Sequence, residues 1–128
     1  MKSKIALFFL ALTLSGCAGV KEWIPSFWDD NQSKIAVDLR YNVSRLDCTQ
    51  EHLPQVKTIK DNLDLLQLYS ESKKTVDVLK LINPMTETVS DFYNRSKQKQ
   101  GSNAYCELKK KLMATQSKAI AETILGRF

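Results

Sequence analysis

The sequence predicts an all-α fold, a small up-down four-helix bundle. Residues 20–100 contain no glycine, and the chain has no Asn-Gly or Asp-Gly pair, so the usual signals of β-hairpins are missing. Apolar residues recur instead at spacings of three and four, which is the period of an amphipathic helix. These observations favour helices that pack around one shared apolar core.

The first two helices are predicted from apolar stripes that follow start signals. Ser26 or Asp29 serves as the N-cap of the first helix, and the second helix opens at Pro54, because proline is favoured in a first helical turn. The predicted core positions are Ile35, Leu39, Val43 and Leu46 in the first helix and Val56, Ile59, Leu63 and Leu66 in the second.

The middle of the chain allows two break points. Asn83-Pro84 fits an N-cap followed by proline at the first helical position, which starts a new helix there. One kinked helix with its turn near residues 70–72 fits as well, because the apolar stripe keeps its phase across Pro84. We favour the break at Asn83. The stripe consists of Val78, Ile82, Met85, Val89 and Phe92.

The last helix is predicted from Ser102 to Leu125. Gly126 follows the last apolar residue of its stripe and acts as the stop signal. The residues expected to face the core are Leu108, Leu112, Ile120 and Ile124.

The first 17 residues have the layout of a secretory signal. Lys2 and Lys4 precede an apolar run over residues 5–14, and small residues lead up to Cys17. An uncleaved membrane helix is disfavoured, since spanning a bilayer takes roughly 20 apolar residues. The tetrapeptide Leu14-Ser15-Gly16-Cys17 resembles the lipobox of bacterial lipoproteins.

This resemblance implies a lipid anchor, and it covers only about residues 1–20. In that family the signal peptide, here residues 1–16, is removed, and the cysteine, here Cys17, carries the diacylglyceryl group. Ala18 rather than aspartate follows it, which by the same resemblance implies the outer membrane, on its periplasmic face. Residues 17–29 are then a lipidated N-terminus with an aromatic tether, and residues 30–128 are the helical domain.

With Cys17 assigned to lipid, Cys48 and Cys106 remain in a compartment that oxidises thiols. An intramolecular disulfide is favoured, and buried free thiols or intermolecular bonds are the alternatives. The two cysteines meet in an up-down bundle only if an even number of helices separates them, which selects four helices. No metal site is predicted, because His52 is the only histidine and is expected in a solvated turn.

Two surface features are candidate interfaces. The rings of Trp23, Phe27 and Trp28 have three open interpretations: they lie at the membrane headgroups, fold back over one end of the bundle, or bind a partner. We favour folding back. Basic residues near Gly101 suggest an anionic partner, but a solvated surface is favoured, since cations also suit a helix C-terminus. They are Arg95, Lys97, Lys99, Lys109, Lys110 and Lys111.

The sequence favours a binding or structural role over catalysis. It contains no Gly-x-Ser-x-Gly elbow, no His-Glu-x-x-His and no phosphate-binding glycine loop, and its net charge of +5 is too small to indicate nucleic acid. We therefore predict a non-catalytic envelope lipoprotein without a cofactor, which is tethered by its lipid and contacts another envelope protein. The alternative is a phage- or plasmid-encoded exclusion or immunity lipoprotein that blocks an incoming particle or toxin.

Overall fold

The computed structural model describes residues 28–127, which form four α-helices. They are α1 (Asp30–Arg45), α2 (His52–Ser72), α3 (Val76–Gln98) and α4 (Asn103–Leu125). Each helix packs against the next and α4 packs against α1, so the chain runs up and down around one core, as predicted. The predictions for the signal peptide, Cys17, Trp23 and Phe27 lie outside the described residues.

The apolar stripes of the first three helices form most of the core, which confirms their predicted phase. Leu39, Leu63 and Phe92 are each at most 1% exposed. Burial of each such side chain contributes about 1.5–3 kcal/mol to stability. Ile35 is only partly buried, and Ala36 beside it takes the inward position.

The residues that cap α1 and α4 are among those predicted from the sequence. Asp29 Oδ1 accepts a hydrogen bond from the Gln32 N–H at 2.9 Å at the start of α1. Ser102 Oγ accepts one from the Tyr105 N–H at 3.1 Å at the start of α4. Gly126 is the C-cap of α4. Each contact satisfies a backbone group that has no partner inside its helix.

The predicted break at Asn83 is wrong. Helix α3 continues through this point with Pro84 inside it, and the turn falls at residues 73–75, where Lys74 has a φ of 57°. An interior proline costs about 3 kcal/mol. Burial of the stripe on both sides offsets that cost, since Ile82 and Met85 are 0% exposed. The alternative turn near residues 70–72 was therefore close to the observed one.

Two core predictions in α4 are also wrong. Leu108 is 65% exposed and Leu112 is 44% exposed, whereas Cys106 and Met113 are 0% exposed. Cys106 must face the interior to reach its disulfide partner. At about 100° per residue, this orientation rotates Leu108 by about 160° and Leu112 by about 120° away from the direction of Cys106.

The predicted disulfide between Cys48 and Cys106 is present, with 5.6 Å between the two Cα atoms. Cys48 lies in the loop after α1, and Cys106 lies in the first turn of α4. Two helices separate them, so the bond joins the same end of the bundle. The observed pairing is therefore the one expected for an up-down bundle of four helices, in which two helices separate the cysteines.

Candidate functional site

The antiparallel arrangement gives the bundle two chemically different ends. The disulfide end contains the loops 46–51 and 99–102. The tether end contains the start of α1, the turn at 73–75 and residues 126–127. The chain before Trp28 therefore joins the bundle at the tether end, opposite the disulfide.

His52 is fully buried at the disulfide end, so the expectation of a solvated turn histidine is wrong. Its Nε2 lies 3.1 Å from the Cys48 carbonyl oxygen, and its ring meets Phe92 edge-on at 5.7 Å between centroids. Helix α2 begins at His52, two residues before Pro54, and this turns the ring toward the core. Its Nδ1 is buried without a hydrogen-bond partner among the described residues.

Gln100 fastens the two loops of the disulfide end to each other. Its Oε1 accepts a hydrogen bond from the His52 N–H at 3.1 Å, and its Nε2 donates to the Gln50 carbonyl at 3.1 Å. The amide thus links the loops 46–51 and 99–102, and the disulfide links the loop 46–51 to the first turn of α4. They give the disulfide end a fixed structure.

A cluster of charges around Tyr105 joins α3 to α4. Asp91 Oδ2 accepts hydrogen bonds from Lys109 Nζ at 2.7 Å and from the Tyr105 hydroxyl at 3.1 Å, and Asp91 Oδ1 accepts one from Arg95 Nε at 3.2 Å. Arg95 and Lys109 also lie 5.3 and 5.5 Å from the centroid of the Tyr105 ring. These two cations of the predicted basic region therefore bind within the protein.

The Asp91 cluster predicts that the free energy of unfolding decreases at acid pH as Asp91 becomes protonated. The hydrogen bond from Lys109, followed by those from Arg95 and Tyr105, lowers the pKa of Asp91 to about 2. Because this pKa is below the unfolded value of about 3.9, the stabilisation is complete above about pH 5 and is lost as the pH falls towards about 2. We expect Asp91→Asn to flatten the decline of the urea midpoint between those values. Equal declines in both proteins would contradict the assignment.

The sequence contains a signal for these aromatic contacts. Each of the four tyrosines is followed four residues later by a basic residue, a spacing that places both side chains on one helix face. The cation lies 5.4–5.8 Å from the ring centroid in every case. The pairs are Tyr41–Arg45, Tyr69–Lys73, Tyr93–Lys97 and Tyr105–Lys109.

Charge is distributed unequally between the two halves of the bundle. The disulfide half, residues 38–62 and 88–113, carries ten Lys and Arg against six Asp and Glu. The tether half, residues 28–37, 63–87 and 114–127, carries six against seven. The predicted basic region thus belongs to the disulfide half.

A buried polar network closes the tether end and was not predicted. Gln32 Nε2 donates to Ser70 Oγ and to Thr75 Oγ1, both at 2.9 Å. Gln32 Oε1 accepts from Arg127 at 2.7 Å, and the same guanidinium donates to Asp77 Oδ2 at 2.7 Å. The network joins the start of α1, the turn after α2 and the segment after α4.

Asp29 fixes the start of α1 at the tether end. Besides capping α1, its carboxylate accepts hydrogen bonds from the Tyr69 hydroxyl, at 2.9 Å to either oxygen, and lies 3.6 Å from Lys73 Nζ. The hydrogen bond from the Gln32 N–H, and then those from Tyr69 and the charge of Lys73, lower the pKa of Asp29. The beginning of α1 is therefore attached to the end of α2.

The structure describes only Trp28 of the predicted aromatic interface. Its indole is 43% exposed, and its Nε1 donates to Asp30 Oδ1. The competing interpretations of Trp23 and Phe27 stay predictions.

Within residues 28–127 no group of His, Cys, Asp and Glu has the arrangement of a metal site. The spacing Ser-x-x-Lys occurs at Ser70–Lys73 and at Ser96–Lys99. Ser70 Oγ accepts from Gln32 while Lys73 pairs with Asp29, and Ser96 Oγ donates to the Phe92 carbonyl. Ser70 and Lys73 are therefore not paired as nucleophile and base.

A depression on α2 is lined by Asp64, Gln67, Leu68 and Glu71.

No protein-family model, curated protein or solved structure matches the chain. None of the four described helices has the length and apolarity needed to cross a membrane. Two surfaces of the described residues are the candidate functional sites: the tether end and the basic disulfide end.

Proposed function

We propose that this protein is a lipid-anchored envelope lipoprotein with a non-catalytic binding or structural role. The lipobox-like tetrapeptide ending at Cys17 supplies the anchor, and the helical domain supplies a folded surface for contact with another envelope protein. Neither a cofactor nor a reaction is part of the proposal.

The Cys48–Cys106 disulfide carries the argument. It uses both cysteines that the lipobox leaves over. Disulfides of this kind persist in oxidising compartments such as the bacterial periplasm and are rare in the cytosol. The cysteine chemistry of the chain therefore supports the compartment that a lipoprotein signal implies.

The placement of the tether supports a role in contact. The chain joins the bundle at one end, next to Asp29, and the basic half lies at the other. A domain held by one end presents its opposite end and its sides to neighbouring molecules. Arginine and tyrosine are enriched in protein interfaces, and the disulfide half exposes Tyr41 and Arg45 together.

Replacement of the lipobox cysteine tests the anchor. We expect Cys17→Ala to move the protein from the membrane fraction to the soluble fraction and to remove incorporation of labelled palmitate in cells. Cys48→Ala with Cys106→Ala is the matched control, which leaves palmitate incorporation in place. Unchanged membrane fractionation and acylation of Cys17→Ala would refute the proposal.

A second substitution tests the outer-membrane location. By the resemblance to lipoproteins, Ala18→Asp is expected to shift the protein from the outer-membrane to the inner-membrane fraction, whereas Ala18→Ser leaves it in place. An unchanged distribution of Ala18→Asp would argue against sorting by this residue.

A further inference from the structure

The tether end exposes apolar side chains from all four helix ends. Trp28 precedes α1, Leu68 lies near the end of α2, Val76 begins α3 and Leu125 ends α4. They are 43%, 62%, 56% and 40% exposed. Exposure of single apolar residues is common, but here one comes from each of the four corners of the same end.

The chain that leaves this end limits what covers it. Ten residues separate Cys17 from Trp28, so the fully extended tether reaches at most about 40 Å. The tether end itself is attached at Asp29, where the tether begins. The disulfide end lies about 35 Å farther away, which is the length of a 23-residue helix. Bringing that end to the bilayer requires a nearly extended tether folded back along the bundle.

The charges of the two ends distinguish the lipid that each would bind. At the tether end, exposed Lys73 and Lys74 lie beside exposed Asp30 and Glu71, so cations and anions are mixed. Such a surface suits the zwitterionic headgroups of a bilayer and gains little from anionic lipid. The disulfide half, with its excess of basic residues, would instead be attracted to anionic lipid.

We infer that the tether end rests on the surface of the bilayer that holds the anchor. Trp28, Leu68, Val76 and Leu125 contact the headgroup region, and the basic disulfide end faces away from the membrane. This inference rests on the proposed lipid anchor at Cys17 and adds an orientation to it. Aromatic and apolar side chains of a surface-bound element reach about 5–10 Å into the boundary between headgroups and acyl chains.

Depth-dependent quenching tests this orientation in the mature lipoprotein, reconstituted in phosphatidylcholine vesicles. Leu68→Cys, Val76→Cys and Leu125→Cys each introduce one free thiol for an environment-sensitive fluorophore, because Cys17 is acylated and the other two cysteines are bonded. Leu108→Cys and Leu112→Cys are matched controls at positions that are also exposed leucines.

We expect brominated phosphatidylcholine to cause a loss of emission at 68, 76 and 125 and none at 108 and 112. Replacing one lipid in three by an anionic lipid is expected to leave that difference unchanged. Quenching at none of the five positions, at all five, or only at 108 and 112 overturns the inference. The acyl mass of each sample is measured first, so a missing anchor counts against the proposed function and not against the orientation.

Discussion

Replacement of Cys48 and Cys106 together by alanine is expected to lower the free energy of unfolding by about 4 kcal/mol. The bond closes a loop with a sequence separation of 58, and its removal returns that freedom to the unfolded chain. Small domains are stable by only about 5–15 kcal/mol, so this loss is a large share of the total. Urea unfolding in a Cys17→Ala background, which removes the third thiol, measures it.

Reduction provides the control for the disulfide prediction. Wild-type protein in reductant should unfold at the urea concentration of the double alanine variant, while the variant itself should not respond to reductant. Both proteins should still show a helical circular dichroism spectrum before unfolding, because the apolar stripes remain. Equal midpoints for the oxidised wild type and the variant would show that the bond does not stabilise the domain.

Replacement of Arg127 by alanine is expected to cost about 3 kcal/mol, although this residue lies beyond the last helix. Its side chain is only 3% exposed, and it bonds Gln32 Oε1 and Asp77 Oδ2, each at 2.7 Å. Truncation leaves the carbonyl oxygen of Gln32, which is 0% exposed, without this donor. Urea unfolding of Arg127→Ala is the measurement.

Lys118→Ala is the matched control, because Lys118 is a cation of α4 whose side chain is 60% exposed and pairs with Glu122 at 3.6 Å. Exposed pairs of this type contribute about 0.3–0.5 kcal/mol. In a Gln32→Ala background the cost of Arg127→Ala should fall, since the two side chains share one hydrogen bond. If Arg127→Ala is no more destabilising than Lys118→Ala, the network does not hold the tether end together.

The core of the first three helices can be predicted from the sequence, because their apolar residues recur at the helical spacing of three and four without interruption. Val78, Ile82 and Met85 are buried in the phase that their spacing predicts. The end of α2 does not follow in the same way. The turn there contains neither glycine nor proline, and Lys74 takes a positive φ that its residue type does not suggest.

Orientation of α4 depends on a contact that lies outside the helix. Leu108 and Leu112 have the right spacing for a core stripe, but Cys106 is held inward by a residue 58 positions earlier in the sequence. A periodic pattern does not say which of two possible faces packs inward when both contain apolar residues. The cysteine pairing, and not the apolar spacing, sets the rotation of this helix.

The polar parts of the candidate sites were predictable only in pieces. The spacing of four between Tyr105 and Lys109 is visible in the sequence, whereas Asp91 joins them from another helix. Gln32 and Arg127 are 95 residues apart, and no local pattern marks either as buried. Their burial follows from the meeting of the helix ends, which only the fold establishes.

The shared position of Trp28 and Arg127 at the tether end has a practical consequence for protein engineering. A reporter domain fused after Arg127 would start at the tether end, beside the point where the chain before Trp28 joins the bundle. An insertion between Thr49 and Gln50, two exposed residues of the opposite loop, would place the same reporter at the far end of the molecule. Joining residues 28 and 127 by a short linker and opening the helical domain in that loop is then a feasible circular permutation of the described residues, because neither change cuts a helix.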